Sequence, residues 1–223
     1  MNGKMIVIEG TDCSGKETQS QLVVQHLQEQ GKKAIAISFP MYDTPTGKIV
    51  GGPYLGRKEI MASWFEEGAP QLDPRISCLY YAADRAYNID KIKQYIHEGY
   101  YVVVDRYTSS NMAHQGGKIA DQEERFHMYQ WIDKLEYWLL NLPKPDVTIF
   151  LHMPYEYSLQ LQKNRPCLDD HEKSKEHLLH AEEAYIELSE LYHWSTVQCV
   201  RDGEIRSIEE INEEIMSLLN SNK

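Results

Sequence analysis

Short apolar runs alternate with longer amphipathic stretches along this chain of 223 residues. The apolar runs are rich in β-branched residues and have no polar face, which is typical of buried strands in a mainly parallel sheet. The predicted strands are Met5–Glu9, Ala34–Ser38, Tyr101–Asp105, Val147–His152 and Thr196–Val200. Their alternation with helices predicts an α/β fold.

Helix signals separate these strands. Asp73 and Pro74 fit the N-cap and the first position of a helix, and Gly31 fits the residue that follows a helix end. The predicted helices span residues 16–30, 73–98, 121–140, 174–192 and 207–219. The chain shows no repeat and no linker, so we expect residues 1–223 to form a single domain.

The composition narrows the function classes. A net charge of -11 argues against broad binding to nucleic acid or to an anionic membrane, because such surfaces need an excess of Lys and Arg. The four cysteines have no C-x-x-C spacing, which is typical of a reduced protein. A strand pattern begins within a few residues of Met1, and no apolar run approaches transmembrane length. We therefore expect a soluble, cytoplasmic protein.

One segment fits the pattern G-x-x-x-x-G-K between a predicted strand and a predicted helix. In that context, successive backbone N–H groups and the helix N-terminus bind phosphate, and the lysine reaches the outer phosphates of a nucleotide. The segment predicts an ATP-binding loop formed by Gly10, Thr11, Asp12, Cys13, Ser14, Gly15, Lys16, Glu17 and Thr18.

The residue after the loop lysine departs from this pattern. A serine or threonine normally follows and binds Mg²⁺ through its hydroxyl group, whereas this chain has Glu17. Thr18 lies one residue further along, which turns its side chain by about 100° around the helix. Glu17 is therefore either a candidate Mg²⁺ ligand, directly or through water, or the mark of a weakened metal site.

Asp105 and Arg106 follow the third predicted strand. Side chains at the carboxyl ends of parallel strands line the crevice in which doubly wound sheets bind ligands. Asp105 is a candidate to hold Mg²⁺, most simply through its water shell. Arg106 is a candidate to neutralise charge on a transferring phosphoryl group.

Further motifs extend the match beyond the phosphate loop. They are Phe39-Pro40, Tyr81-Ala82-Ala83-Asp84-Arg85, Asp105-Arg106-Tyr107, Ser110-Asn111-Met112-Ala113-His114-Gln115-Gly116-Gly117 and Leu142-Pro143-Lys144-Pro145-Asp146. In this order the motifs cover nearly the whole chain, and together they resemble the thymidylate kinases. The resemblance implies a three-layer P-loop kinase fold with a five-stranded parallel sheet flanked by helices. It also implies transfer of the γ-phosphoryl group of ATP to dTMP, with Mg²⁺, by a homodimer.

The resemblance also implies roles for individual residues. Tyr81 matches the aromatic ring stacked on thymine, Arg85 the arginine at the base edge, and Arg106 the arginine that holds the acceptor phosphate. His114 is our candidate for crowding out a ribose 2′-hydroxyl group. The implied catalytic residues are Asp12, Lys16, Asp105, Arg106 and Arg165, and the implied dTMP-binding residues are Phe39, Pro40, Tyr42, Tyr81, Arg85, Arg106, Asn111, His114 and Gln115.

Two positions depart from the family pattern. Many relatives have an arginine where this chain has Tyr42, and some have an arginine in the phosphate loop where this chain has Cys13. In the family's other arrangement, a mobile lid supplies the catalytic arginine. The lid is expected at about 162–175, with Arg165 as the candidate arginine and Lys163 as the alternative.

Two other functions stay open: a kinase for another nucleotide or nucleoside, which Tyr42 suggests, and a nucleotide-binding protein without catalysis, which Glu17 suggests. His177 and His180 are three residues apart on a predicted helix, and we interpret them as surface histidines rather than metal ligands. We interpret Arg57 as part of a basic spot on a loop.

Overall fold

The centre of the sheet is β1 (Lys4–Gly10), which pairs in parallel with β3 (Tyr101–Asp105) on one side and β4 (Val147–His152) on the other. With β2 (Ala34–Ser38) and β5 (Ser195–Gln198), the strand order is β2-β3-β1-β4-β5. The computed structural model describes residues 3–162 and 174–221. The predicted five-stranded parallel sheet is confirmed.

The last strand ends earlier than predicted. β5 stops at Gln198, and Val200 belongs instead to β6 (Val200–Arg201), which pairs antiparallel with β7 (Glu204–Ile205). The peptide N–H of Cys199 still donates to the carbonyl oxygen of His152 in β4, but the carbonyl oxygen of Cys199 accepts the backbone N–H of Arg206. Beyond Cys199 the chain therefore pairs with its own next segment and no longer with the sheet. A short ribbon thus replaces the end of the predicted strand.

Helices connect the strands. They are α1 (Lys16–Glu29), α2 (Pro45–Ile49), α3 (Pro74–His97), α4 (Thr108–Gly116), α5 (Gln122–Asp133), α6 (Tyr155–Gln162), α7 (Lys175–Leu191) and α8 (Ile208–Ser221). Two π-helical segments, Val50–Tyr54 and Lys134–Leu139, follow α2 and α5. Among residues 3–162 and 174–221, no helix has both the length and the apolar character needed to cross a membrane.

The predicted helix ends have the expected local chemistry. The carboxylate of Asp73 accepts hydrogen bonds from the backbone N–H groups of Arg75 and Ile76, which caps α3. Pro74 occupies the first turn, where its missing N–H costs nothing. Gly31 has a φ of 75°, which suits the left-handed residue that follows a helix. Helices α2, α4 and α6 were not predicted, because each is too short to show a clear period.

Both faces of the sheet are apolar. On one face, Ile6 and Ile8 pack in a cluster with residues of α1 and α8, and on the other, Met5 and Val7 pack in a cluster with residues of α3. This alternation along β1 buries every side chain from Met5 to Ile8 and produces three layers. The expected three-layer fold is therefore confirmed.

The register of the sheet determines which loops meet. Ile8 of β1 lies opposite Asp105 of β3, so the loops that follow these two strands leave the same edge side by side. The backbone N–H of Phe39, just after β2, donates to the carbonyl oxygen of Asp105 and brings a third segment to this edge. The carboxyl edge of β1, β2 and β3 is thus where candidate site residues converge.

Candidate active site

The segment from Gly10 to Lys16 forms the predicted loop between β1 and α1. A side chain at Gly10 would meet the carbonyl oxygen of Leu151 at 2.7 Å, so this position requires glycine. Cys13 and Gly15 have φ angles of 61° and 79°, which turn the loop into the helix. The hydroxyl oxygen of Ser14 is buried and has no hydrogen-bond partner among the described residues. A phosphate oxygen would satisfy it.

Lys16 is a buried cation at this loop. Its Nζ donates to the carbonyl oxygen of Thr11 at 2.8 Å. Burial and the nearby charge of Arg106 lower the pKa of Lys16 to about 8, although Asp12 and Asp105 oppose this shift. A bound polyphosphate would favour the charged form, because it brings negative charge to a buried ammonium group.

Asp12 and Arg106 form an ion pair that joins the loops after β1 and β3. Burial alone would raise the pKa of Asp12, but the charge of Arg106, its hydrogen bond to Asp12 and the charge of Lys16 hold this pKa well below its ordinary value. Arg106 has a left-handed backbone with a φ of 64°, which is uncommon for a residue with a side chain. The backbone turn and the ion pair together direct its guanidinium group toward the phosphate loop.

A chain of hydrogen bonds continues from Arg106 into α7. Nη1 of Arg106 lies 3.2 Å from Nε2 of His114, and Nδ1 of His114 lies 3.1 Å from Nε2 of His177. Because arginine can only donate, Nε2 of His114 accepts, and Nδ1 of His114 then donates to His177. The interpretation of His177 as a surface histidine is wrong, since only 6% of its surface is exposed.

Glu9 was missed by sequence analysis. Its carboxylate is fully buried and accepts hydrogen bonds from the backbone N–H groups of Tyr107 and Ser110, from the Ser110 hydroxyl and from the Tyr185 hydroxyl. Burial raises its pKa despite these bonds. The feature of the sequence that could have indicated its role is an acidic residue at the end of an otherwise apolar strand. Glu9 ties β1 to the start of α4 and to α7.

Asp105, at the end of β3, keeps one carboxylate oxygen available for a ligand. Its Oδ2 accepts a hydrogen bond of 3.3 Å from the Ser38 hydroxyl, and its Oδ1 is buried without a partner among the described residues. A water of a Mg²⁺ shell would fit this unpaired oxygen. Glu17, in the first turn of α1, and Thr18 are exposed. The unpaired oxygen of Asp105 thus supports its predicted role as a metal-site residue. For Glu17, the same role is supported only by its place in the first turn of α1.

The aromatic residue predicted to stack on a base lies on α3. Tyr81 is half-buried and meets the ring of Tyr54 edge-to-face at 5.5 Å, and Tyr54 in turn stacks on Tyr80. Tyr54 is fully buried in the first π-helical segment. The ring of Tyr81 is thus packed against a partly buried aromatic cluster, which suits a stacking platform.

Arg85 forms a buried ion pair with Glu136. Nε and Nη2 of Arg85 donate to the two carboxylate oxygens at 2.5 and 2.6 Å, and neither residue has more than 2% of its surface exposed. Burial alone would lower the pKa of Arg85, but Glu136 holds it above its ordinary value. Glu136 was not among the predicted site residues, because nothing local in the sequence distinguishes it from other helical glutamates.

Asn111 joins this ion pair, and Gln115 lies one turn beyond on α4. Nδ2 of Asn111 donates to Oε1 of Glu136 at 2.9 Å and to the carbonyl oxygen of Cys78 at 3.2 Å. Oδ1 of Asn111 and both amide atoms of Gln115 are buried without partners among the described residues. Buried amide groups without hydrogen-bond partners are candidates for ligand contact, because a buried polar group that makes no hydrogen bond destabilises the folded protein.

Comparisons with known proteins agree with this arrangement. The thymidylate kinase family model matches residues 8–215. The probable thymidylate kinase of Pyrococcus abyssi is 28% identical over 225 residues, covering 98% of this chain and 97% of that protein. The thymidylate kinase of Exiguobacterium sp. is 30% identical over 220 residues, covering 97% and 93%. The chain belongs to the thymidylate kinase family.

A solved structure supports the fold. The structure of thymidylate kinase from Candida albicans superposes with a TM-score of 0.74 over 99% of this chain and 92% of that one, at 24% sequence identity. At this level of identity the similarity concerns the fold. It is the fold expected of a thymidylate kinase family member.

One departure from the family pattern has a structural counterpart. The guanidinium carbon of Arg57 lies 4.3 Å from the centre of the Tyr42 ring, in a cation–π contact. A positive charge therefore does lie beside Tyr42. It belongs to Arg57, which we interpreted from the sequence as part of a basic spot on a loop.

Phe39, also predicted to bind dTMP, is buried against Tyr107, and Pro40 after it is half-buried.

The predicted lid arginine, Arg165, lies outside the described residues, as does its alternative Lys163. The described chain resumes at Ser174, whose hydroxyl accepts a hydrogen bond from the backbone N–H of His177 and caps α7. The end of the expected lid is therefore next to the histidine chain that reaches Arg106.

Acid should destabilise this family member through its buried histidines. Burial lowers the pKa of His177 from 6.5 to about 3, so between these values the unfolded chain binds a proton that the folded chain does not. The free energy of unfolding then falls as the pH falls, by up to about 1.4 kcal/mol per pH unit. We expect urea unfolding to show that, from pH 7 to pH 5, the wild type loses about 2 kcal/mol more than His177→Asn.

The matched control is His97→Asn, which changes an exposed histidine of α3. Its loss of stability between pH 7 and pH 5 should equal that of the wild type. Equal losses in the wild type and His177→Asn would contradict a neutral, buried His177.

Proposed function

We propose that this protein transfers the γ-phosphoryl group of ATP to dTMP and forms dTDP. The observation that carries the proposal is the ion pair between Asp12 of the phosphate loop and Arg106, beside Asp105 on the same edge of the sheet. A donor loop and an acceptor-binding cation are thereby held within contact distance. That arrangement suits in-line transfer between two bound nucleotides, in which positioning and charge do most of the work.

The donor half consists of the loop from Gly10 to Thr18. Backbone N–H groups of the loop and the N-terminus of α1 bind the phosphates of ATP, and Lys16 stabilises negative charge on the outer phosphates. Asp105 would hold Mg²⁺ through the water shell of the ion, and Glu17 is a second candidate for this role. When bound, Mg²⁺ would supply positive charge that neutralises the negative charge developing on the phosphates during transfer.

The acceptor half lies between α3 and α4. Tyr81 stacks on the thymine ring, Arg85 and Asn111 contact its polar edge, and Arg106 holds the 5′-phosphate. His114, held by Arg106, is positioned on the sugar side, and Gln115 lies behind it on α4. Asp12 orients Arg106 and stays ionised because its pKa is low. The Arg57–Tyr42 pair is a second source of positive charge near the segment after Phe39-Pro40.

The proposed lid at about 162–175 closes over the donor and brings Arg165 to the transferring group. Closure would exclude water, which otherwise competes with the acceptor phosphate as nucleophile. Cys13 brings no charge to the loop, so a cation from another segment is needed. This role of Arg165, like the extent of the single domain and a cytoplasmic location, stays a prediction from sequence.

A panel of acceptors tests the proposed substrate. With ATP and Mg²⁺, we expect the full chain to phosphorylate dTMP with a kcat/KM at least about 100-fold above that for dCMP or dGMP, because a site built to bond one base edge rejects others. Turnover is measured by ADP release, with dUMP and thymidine in the same panel. Phosphorylation of thymidine but not dTMP would contradict the proposal. Binding of ATP without turnover of any acceptor would favour the non-catalytic alternative.

Substitution of Asp105 tests the metal site. Asp105→Asn removes the charge but keeps the shape, so we expect the Mg²⁺ concentration for half-maximal rate to rise about tenfold or more. Asp90→Asn, at an exposed position of α3, is the matched control and should leave the Mg²⁺ dependence unchanged. Glu17→Gln in the same assay tests the second carboxylate, and an unchanged dependence would remove Glu17 from the metal site. An unchanged dependence in Asp105→Asn would contradict the assignment of Asp105.

We also propose that the protein is a homodimer that pairs through α3. Ile76, Leu79, Ala83 and Tyr87 form an exposed stripe along this helix, and 50% of Leu79 and 61% of Tyr87 are open to solvent. Exposed apolar stripes of this kind usually mark an interface. Leu79→Glu should convert a dimer to a monomer in sedimentation velocity, whereas Ile208→Glu, at a similarly exposed position of α8, should not. A wild type that sediments as a monomer would contradict the proposal.

A further inference from the structure

The carboxylate of Glu136 connects the two side chains that we assign to the polar edge of the base. It lies in the second π-helical segment, is fully buried, and accepts hydrogen bonds from Arg85, Asn111 and the Thr108 hydroxyl. π-Helical turns are rare and are frequent at functional sites. Any role of this carboxylate in recognition rests on the proposed function, in which Arg85 and Asn111 contact the acceptor base.

The surroundings of Asn111 fix which way its amide points. The oxygen and nitrogen of an amide have nearly the same shape, so neighbours decide the orientation. Oε1 of Glu136 and the carbonyl oxygen of Cys78 are both acceptors, so only the Nδ2 group of Asn111 can face them. Oδ1 therefore points away from Glu136, and it is buried without a partner among the described residues. It is an acceptor that requires a donor.

The same carboxylate fixes the orientation of Arg85. The contact is side-on, through Nε and Nη2, which turns the Nη1 edge of the planar guanidinium group away from Glu136. Guanidinium N–H groups can only donate. Arg85 and Asn111 thus offer one donor and one acceptor, and both are held in place by one carboxylate.

We propose that Glu136 is a positioning residue that makes the acceptor site select keto pyrimidines over cytosine. Thymine and uracil carry an acceptor at O4 and a donor at N3–H, which match Arg85 and Asn111. Cytosine instead carries an amino group on C4, which donates, and an unprotonated N3, which accepts. Arg85 would then face a donor and Asn111 an acceptor, so neither hydrogen bond could form. A buried ion pair contributes little net stability, because removing both charges from water is costly. The orientation of Arg85 and Asn111 gives a reason for the presence of this ion pair in the core.

Glu136→Gln tests this role through base selectivity. The substitution replaces one carboxylate oxygen by an amide donor, so the side chain at position 136 no longer requires a donor from Asn111. Asn111 can then turn its Oδ1 toward the new donor, at the expense of its longer hydrogen bond to the Cys78 carbonyl oxygen. Asn111 then presents an N–H to the base, which suits N3 of cytosine. We expect the ratio of kcat/KM for dTMP to that for dCMP to fall about tenfold or more. The ratio for dTMP to dUMP should not change, because these bases share the same polar edge.

The pattern of the two ratios separates the possible outcomes. Equal slowing with all three acceptors would indicate a purely structural role and overturn the inference. A wild type that turns over no dTMP would instead contradict the proposed function, and the inference with it. Thr108→Val removes the hydrogen bond that a neutral hydroxyl donates to the Glu136 carboxylate and keeps the ion pair, so it decides the matter if Glu136→Gln does not fold. It should lower the dTMP to dCMP ratio about threefold, and an unchanged ratio would overturn the inference.

Discussion

The ion pair between Asp12 and Arg106 is the interaction on which the rest of the candidate site depends. It exists because β1 and β3 are parallel neighbours in register, with Ile8 opposite Asp105, so the loops after both strands leave one edge of the sheet. The left-handed backbone at Arg106 then turns its side chain toward the phosphate loop. From Arg106, hydrogen bonds extend through His114 to His177 at the start of α7. One contact therefore links the donor loop, the acceptor helix and the segment that ends the expected lid.

Buried charge is concentrated at this edge in a chain whose net charge is -11. Lys16 and Arg106 face Asp12, Asp105 and Glu9, and each of these residues influences the pKa of at least one other. Buried charges are costly unless they are paired, and the pairs here leave Ser14 and one oxygen of Asp105 without partners among the described residues. Phosphates and a hydrated cation supply what those groups lack. The site is thus arranged around ligands rather than for maximum stability of the folded chain.

The sequence predicted what depends on local pattern. Strands such as Val147–His152 were found because both faces are apolar, and the phosphate loop because its glycines and lysine have a fixed spacing between a strand and a helix. Residues whose importance comes from distant contacts were missed. Glu136 meets Arg85 across 51 positions and His177 meets His114 across 63, and no periodicity signals such pairs. The family resemblance located Arg85 and Asn111, but only the folded chain places Glu136 between them.

The central claim is that the phosphate loop and the pocket between α3 and α4 are two halves of one site, joined at Asp12 and Arg106. Calorimetry with a compound that links adenosine to thymidine through a chain of phosphates tests this directly. If one site holds both halves, the linked compound should bind about 100-fold or more tightly than ADP or dTMP alone, because the second contact becomes intramolecular. Binding no tighter than the better single nucleotide would contradict the claim.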